Sequence, residues 1–475
     1  MQEDQVQTQE QEQIHGLKKL KGIVFFAYGF QEFALGFLTT MGVQFMAFFL
    51  TDVALIPAAT AATILLIGRI VDSVDLPILG IIVERFSFRW GKYRSWLFIC
   101  APLIVIFNLL MFSNFENVSM GVKVAYLSLA YILAYICVNI CSSARMALLP
   151  TFTDNGAERA KLSARRGQGV ALTNVIRGAI TVPLIYWIGG GTSSANQAIG
   201  YRWVVLFYGV IVIFGLYWIS FLAKGHDKPV PKAERKIRKP NQATVKDMLK
   251  ALVTNPPLLI FLVSNILMQV AQYTLLSFNL YYFTYVIKNM ALYSLYMPII
   301  YGGMFLGGFV TTWLMERLDN NKKLVYSIGM VINAVAALAV LFTSGAWAFI
   351  ILITVAQFGY GISTGLIPAF FSDAADYGEL KTGKSVKAAV MSLVIEPIKL
   401  GLLIGGGIAT FGLAKLGYVA GTTDPGVING IKSLTTIPQA IACVLCILVV
   451  IAYPLTKKRM DSIQSQLKAK AGSAT

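Results

Sequence analysis

Arg69, Asp72 and Asp75 lie within one short stretch that is otherwise apolar enough to sit in lipid. An ionised side chain at bilayer depth costs a few kcal/mol or more, so acids in such a span line a polar path or have a partner. Asp72 and Asp75 are three residues apart, which puts them on one helix face about 60° from each other. Like charges that close repel and raise the proton affinity of at least one. The pair is therefore suited to hold a proton or share a monovalent cation. A structural pairing of Asp72 with Arg69, one turn earlier, is the alternative. The two are compatible if Arg69 neutralises one acid while the other titrates.

A second set of polar residues lies in other apolar runs. Glu32, preceded by Gln31, falls midway through the first run, in Tyr28-Gly-Phe-Gln-Glu-Phe-Ala-Leu-Gly36. As a binding group it would accept hydrogen bonds from ligand hydroxyls, and ionised acceptors are roughly twice as strong as neutral ones. Otherwise it is a water-exposed carboxylate near an interface. Arg145 and Arg166 sit near predicted span ends, either as snorkelling or loop residues or as binding groups. Arg177 falls on the same helix face as Arg166 but deeper, and a guanidinium there needs a carboxylate from a neighbouring helix or from a substrate. Glu396 and Lys399, in Glu396-Pro397-Ile-Lys399, form a local pair, or Lys399 reaches across to Asp72 or Asp75. Pro397, read as lying inside a span, would free a backbone carbonyl. Asn265, Gln269, Gln272 and Tyr273 recur at helical spacing, as do Gln357, Tyr360 and Thr364. Such stripes serve as glue between helices or as a lining that reads hydroxyls. Tyr28, Tyr273 and Tyr360 could stack on a sugar ring or anchor at an interface.

These residues need a membrane scaffold. The 475 residues are 56% hydrophobic and 13% charged, against about a quarter charged in soluble domains. Apolar runs bounded by charges or Pro/Gly clusters predict an all-α protein with twelve spans near 22–50, 53–83, 95–114, 119–149, 168–190, 201–223, 258–286, 292–315, 324–343, 346–371, 388–415 and 435–455. Most of the 40 Lys and Arg fall in alternate loops, which places both termini in the cytoplasm and explains the net charge without nucleic acid. Residues 1–21 form a cytoplasmic tail without the apolar core of a signal peptide. Two six-helix halves, 22–223 and 258–455, follow on either side of a cytoplasmic linker at 224–257, and 456–475 form the second tail. Leu149-Pro150-Thr-Phe-Thr-Asp154 is echoed by Ile367-Pro368-Ala-Phe-Phe-Ser-Asp373. Gly80 to Lys92 has a weaker counterpart at Gly308 to Lys323. Both echoes occupy matched loops, as a duplicated transporter would have them. All five cysteines fall in predicted spans as packing residues and neither His15 nor His226 lies in one, so no metal or cofactor is expected.

Arg69-Ile-Val-Asp72-x-x-x-x-Pro77-Ile-Leu-Gly80, followed by Arg89-Trp90-Gly91-Lys92-Tyr93-Arg94-x-Trp96, resembles the glycoside/pentoside/hexuronide:cation symporters, the branch of the major facilitator superfamily that contains the melibiose permease. Glu158-Arg159-x-x-Leu162, Asn255-Pro256-Pro257-Leu258-Leu259 and Asp373-x-x-Asp376-Tyr377-Gly378-Glu379 extend the likeness over most of the membrane region. The resemblance implies an alternating-access carrier of sugars or sugar acids coupled to Na⁺, Li⁺ or H⁺. It matches Asp72 to a cation-site aspartate, Glu32 to a sugar-binding acid, Lys399 to a coupling lysine, and Arg165 or Arg166 to a sugar-binding arginine. Arg69, Gly91, Lys92, Arg94, Asp373 and Asp376 are expected to brace the gate. Leu76 stands where a second cation-site aspartate is common. Thr364 stands near a position where the melibiose permease has a sugar-stacking tryptophan, and Ser142 near that of another of its binding aspartates, so its galactoside specificity does not transfer.

The expectation is a monomeric plasma-membrane importer of a glycoside, sugar or sugar acid, driven by a monovalent cation with H⁺ favoured. Its partners are the lipid bilayer and a sugar-like substrate. Leu76 motivates the alternative of an uncoupled facilitator or exchanger. An integral-membrane enzyme acting on lipid-linked substrates would need an acid-rich ordered loop at the membrane surface, which the sequence lacks.

Overall fold

The computed structural model describes residues 20–86, 88, 90–115, 118–153, 156–227, 255–343, 345–382, 390 and 393–472. The first tail and most of the expected linker lie outside these, as does the side chain of Asp75. The described chain is helical: α1 (Gly22–Gln44), α2 (Ala58–Arg85), α3 (Arg94–Met111), α4 (Met120–Phe152), α5 (Gly156–Gly189), α6 (Ser194–Leu222), α7 (Pro256–Tyr281), α8 (Ala291–Arg317), α9 (Lys322–Ala339), α10 (Ala346–Thr364), α11 (Ile367–Thr382), α12 (Glu396–Lys415), α13 (Pro425–Ile451) and α14 (Lys457–Gly472). Among the described residues, eleven stretches are long and apolar enough to cross a membrane, one of them made of α10 and α11 together. The 28-residue helix α2 is not among them, and it carries Arg69, Asp72 and Asp75.

Local chemistry sets several boundaries. The side chains of Asn255, Asn321 and Asp424 accept from Leu258, Leu324 and Gly426 amides at 3.1, 3.3 and 2.8 Å, capping α7, α9 and α13. Helix α5 begins at Gly156, not near residue 168: the basic run through Arg166 was expected to end the apolar segment, but Lys, Arg and Ala are good helix formers. Pro397 also differs from expectation. It sits in the first turn of α12, where a missing N–H leaves no hydrogen bond broken.

Two groups of helices emerge from the packing. Within the first, α1 packs on α5 and α6, α3 on α4 and α6, and α2 on α4; within the second, α7 packs on α12 and α13, α8 on α10, and α9 on α10 and α13. The groups meet mainly where α5 lies on α8 and α2 on α12. A large apolar core takes in the first group and the ends of α7, α8, α10, α12 and α13. A smaller core stays within the second group and buries Met460 and Ile463 of α14.

Both α1 and α7 run into π-helical turns, Phe49–Val53 and Tyr282–Ile287. Such turns re-aim side chains and recur at functional sites. Here they bring Asp52 against Tyr285, whose hydroxyl donates to its carboxylate. Tyr418 donates to the same oxygen at 2.7 Å and Thr51 to the other at 2.6 Å. Thr51 in turn bonds Tyr281 at 2.8 Å. This cluster closes the two groups together at one end of the bundle.

Candidate functional site

The α1–α5 crossing is set by two glycines. A Cβ on Gly169 would lie 2.2 Å from the carbonyl oxygen of Gly29, so the helices touch backbone to backbone. Glu32 is three residues beyond Gly29, and Arg166 three before Gly169. That contact brings their side chains together, with Arg166 Nε 2.6 Å from Glu32 Oε1. Arg145, from α4, places Nη1 3.0 Å from Glu32 Oε2. Its other terminal nitrogen donates to Ser142 at 3.2 Å, and Tyr28 donates to its backbone carbonyl at 3.2 Å. Glu32 and Arg145 are buried, whereas the Arg166 side chain keeps 34% of its exposure. Glu32 and Arg145 line a cavity of about 280 Å³ with Thr39, Ser142, Thr173 and Asn174. Arg165 faces away and bonds Gln168 at 2.9 Å.

One carboxylate thus answers two guanidiniums, leaving the cluster with net charge +1. A hydroxylated ligand finds acceptor and donors side by side, and the surplus charge favours an anionic group. Widening the α1–α5 contact would disturb all three residues. Gly169→Val is expected to lower apparent melting temperature by the overpacking penalty of about 1–3 kcal/mol. Its ligand-induced thermal shift should vanish too, as measured on detergent-solubilised protein.

The second cluster centres on Asp72. Asn139 of α4 donates to Asp72 Oδ1 at 2.7 Å. Lys399 of α12 reaches from the other group to the same oxygen at 3.4 Å and to the Asp72 carbonyl at 2.5 Å. Arg69 lies 3.8 Å from Asp72 Oδ2. Its guanidinium stands over the ring of Tyr135, 4.8 Å from the centroid, with Tyr131 on the same side at 5.6 Å. Such stacking lets aromatic faces share a buried cationic charge. Asp72, Arg69, Asn139 and Lys399 are all buried.

The remaining sequence candidates are distributed differently. Gln31 is fully buried and absent from the cavity lining. Gln357 donates to Gln272 at 2.9 Å, and Tyr360 to Gln269 at 2.9 Å. These pairs tie α7 to α10 and do not line the cavity around Glu32; Tyr273 and Thr364 are not in that lining either. In this conformation these four paired side chains satisfy each other across the packed helices, whereas the buried Asn265 amide has no hydrogen-bond partner among the described residues. Arg177 bonds Gln44 of α1 at 2.8 Å, outside the cavity.

At the α3 end, Asp227 accepts from the amides of Lys92, Tyr93 and Arg94 at 3.2, 2.8 and 2.7 Å, so it caps that helix from a distance. Gly91 packs directly on Asp227. In the second group, Lys322 pairs with Asp373 at 2.6 Å, and Asp376 is half-buried on the same helix.

Arg145 is the participant that sequence reading left open, and Asn139 went unremarked. The usable signal was an arginine and an amide on one apolar helix, each needing a partner within the bundle.

Comparison with known proteins identifies the family. The family model described as MFS/sugar transport protein matches residues 27–457. The isoprimeverose transporter of Lactiplantibacillus pentosus is 30% identical over 403 residues, covering 83% of this chain and 80% of its own. A glucuronide carrier protein homolog of Escherichia coli is 26% identical over 92% of this chain and 93% of its own. The crystal structure of the nucleoside transporter NupG superposes with a TM-score of 0.60 at 15% identity, covering 91% of this chain and 98% of that one, a likeness of fold alone. The homologues and structural neighbours are transporters and not enzymes. This all-helical, multi-pass membrane protein belongs to the MFS/sugar transport protein family, among the glycoside, pentoside and hexuronide symporters.

Proposed function

We propose that the chain imports a glycoside or sugar acid by symport with a monovalent cation, H⁺ before Na⁺ or Li⁺, through alternating access. The observation that carries this reading is the contact of Asp72 on α2 with Lys399 on α12, because it joins the two groups at a pair of charges that proton or cation binding would loosen. With α2 counted, twelve spans form two six-helix halves, 22–223 and 258–455, joined by a cytoplasmic linker at 224–257. The basic loops put both termini and the linker in the cytoplasm of a plasma-membrane carrier acting as a monomer. Arg69, Gly91, Lys92, Arg94, Asp373 and Asp376 brace its inner gate. Substrate sits between the halves, held by Glu32, Arg145 and Arg166, and the surplus positive charge there favours a sugar acid. The glucuronide carrier homolog among the relatives supports the same class. Uptake of methyl β-D-glucuronide into proteoliposomes, driven by either an inward proton or an inward sodium gradient, tests the reading. No stimulation by either gradient would overturn coupling.

One observation favours uncoupled exchange as a second reading. Asp72 is already engaged by Asn139, Lys399 and Arg69, so little of it is open to a cation. Substrate-induced alkalinisation of the medium, or Na⁺ or Li⁺ uptake with substrate, separates the two, each being absent for an exchanger.

On this topology the Asp52 cluster is the outer seal. Burial pushes the Asp52 carboxyl above its usual range, with the hydrogen bonds from Thr51, Tyr285 and Tyr418 opposing. A carboxyl with higher proton affinity when sealed than when hydrated favours the seal at low pH. That advantage fades as pH rises from the ordinary aspartate value towards the raised one. Asp52→Asn is expected to remove this dependence. Labelling of a cysteine placed at Thr422 by an external thiol reagent, divided by the thiolate fraction at each pH, should then no longer increase with pH.

A further inference from the structure

Arg177 is the largest side chain fully buried in the described structure, at 0% exposure. Among the described residues its only polar side-chain partner is Gln44, whose amide nitrogen passes on to the Tyr301 hydroxyl of α8 at 3.1 Å. Among the described residues, Arg177 Nε and Nη2 have no hydrogen-bond partner and no carboxylate pairs with it. The hydroxyl of Tyr293, also from α8, is unpartnered as well and close enough to feel the Arg177 charge. A buried, unpaired cation is among the costliest groups a fold can keep. Arg69, by contrast, has Asp72 and two aromatic faces.

What covers Arg177 is the other group of helices. Its neighbour Gly178 lies so close to α8 that a Cβ there would fall 2.4 Å from Met297 Cβ. The α5–α8 contact is one of the two main seams between the groups. Arg177 is eleven residues beyond Arg166 on α5, about 16 Å along the axis towards the Asp52 end. That is too far for one sugar ring to touch both.

We propose that Arg177, with Gln44 and the Tyr293 and Tyr301 hydroxyls, is a second anion-binding station, covered in this conformation and uncovered when the seam parts at the Asp52 end. There it captures the carboxylate or sulfonate of an incoming sugar acid before Arg145 and Arg166 receive it. The unpaired charge is then the trace of a ligand that is present only in the opposite state. This rests on the sugar-acid reading of the inner cavity.

The test uses the full chain in right-side-out membrane vesicles, with labelled methyl β-D-glucuronide and its neutral counterpart, methyl β-D-glucoside. Arg177→Gln is expected to raise the KM for glucuronide entry about tenfold, the loss of one charged hydrogen bond. The KM for glucuronide efflux and for any glucoside entry should change less than about twofold, with the efflux Vmax falling as reversibility requires. Arg177→Lys should fall between wild type and Arg177→Gln. The purified Arg177→Gln protein should melt no lower than wild type, since an unpaired buried charge has gone. An unchanged entry KM overturns the station, and so does an equal rise for entry and efflux. A lower melting temperature with both fluxes reduced would make Arg177 structural, and should that variant fail to reach the membrane, an unchanged entry KM in Arg177→Lys overturns the station equally. Wild-type vesicles that take up no glucuronide would overturn the sugar-acid reading itself, and the station with it.

Discussion

Asp72→Asn is expected to abolish uphill accumulation while counterflow exchange persists. Asparagine keeps the size of the side chain and can still accept from Asn139, so the local packing of α2 on α4 should survive. What it loses is the charge that answers Lys399 from across the seam. Without it, neither a proton nor another cation has a site to occupy, and Lys399 has no carboxylate to be released from. An imposed gradient of one pH unit is worth about tenfold in concentration ratio. Wild type should approach that ratio in proteoliposomes at one-to-one coupling, and Asp72→Asn should stop near unity. Accumulation in the variant matching wild type would place coupling elsewhere. Asp75, whose side chain lies outside the described residues, would be the next group to replace.

Glu32→Gln should have a comparable effect on binding. The substitution leaves Arg145 buried and Arg166 half-buried with no counter-charge. Breaking a buried pair by removing one partner costs about 3–5 kcal/mol, less here because Arg166 is partly hydrated. The protein should therefore melt several degrees lower and lose its ligand-induced stabilisation. Glu32→Gln with Arg145→Gln returns the cluster to net charge +1 and leaves only the partly hydrated Arg166 unanswered, so it should recover much of the melting temperature, while uptake stays absent because both recognition groups are gone. If Glu32→Gln instead leaves KM for the glucuronide unaltered, Glu32 only neutralises the arginines and does not touch substrate.

Much of this architecture was legible along the chain, and the reasons are specific. Lipid cannot satisfy a bare backbone, so a crossing shows as a long apolar run, and among the described residues eleven stretches do; α2, which carries the charges, falls short of that measure, and α14 lies in the expected tail. Arg69, Asp72 and Lys399 stood out because charge in such a run is rare enough to need a reason. Helix ends were less legible. The extension of α5 back to Gly156 and the start of α12 at Glu396 depend on helix propensity and first-turn proline geometry, which hydropathy does not register.

The inventory of charges standing in apolar runs was therefore legible from sequence alone: an acid in the first run, an arginine and acids in the second, arginines in the fourth and fifth, and a lysine in the eleventh. Which charge answers which was decided only in three dimensions. Glu32 meets Arg145 and Arg166 because two glycines let α1 and α5 touch. Asp72 meets Lys399 because α2 lies on α12. Arg177 is left unanswered because α8 closes over it with hydroxyls and no acid. A periodic pattern specifies the face on which a side chain lies, but the neighbour that face meets depends on how helices distant in sequence cross, and no local pattern carries that information.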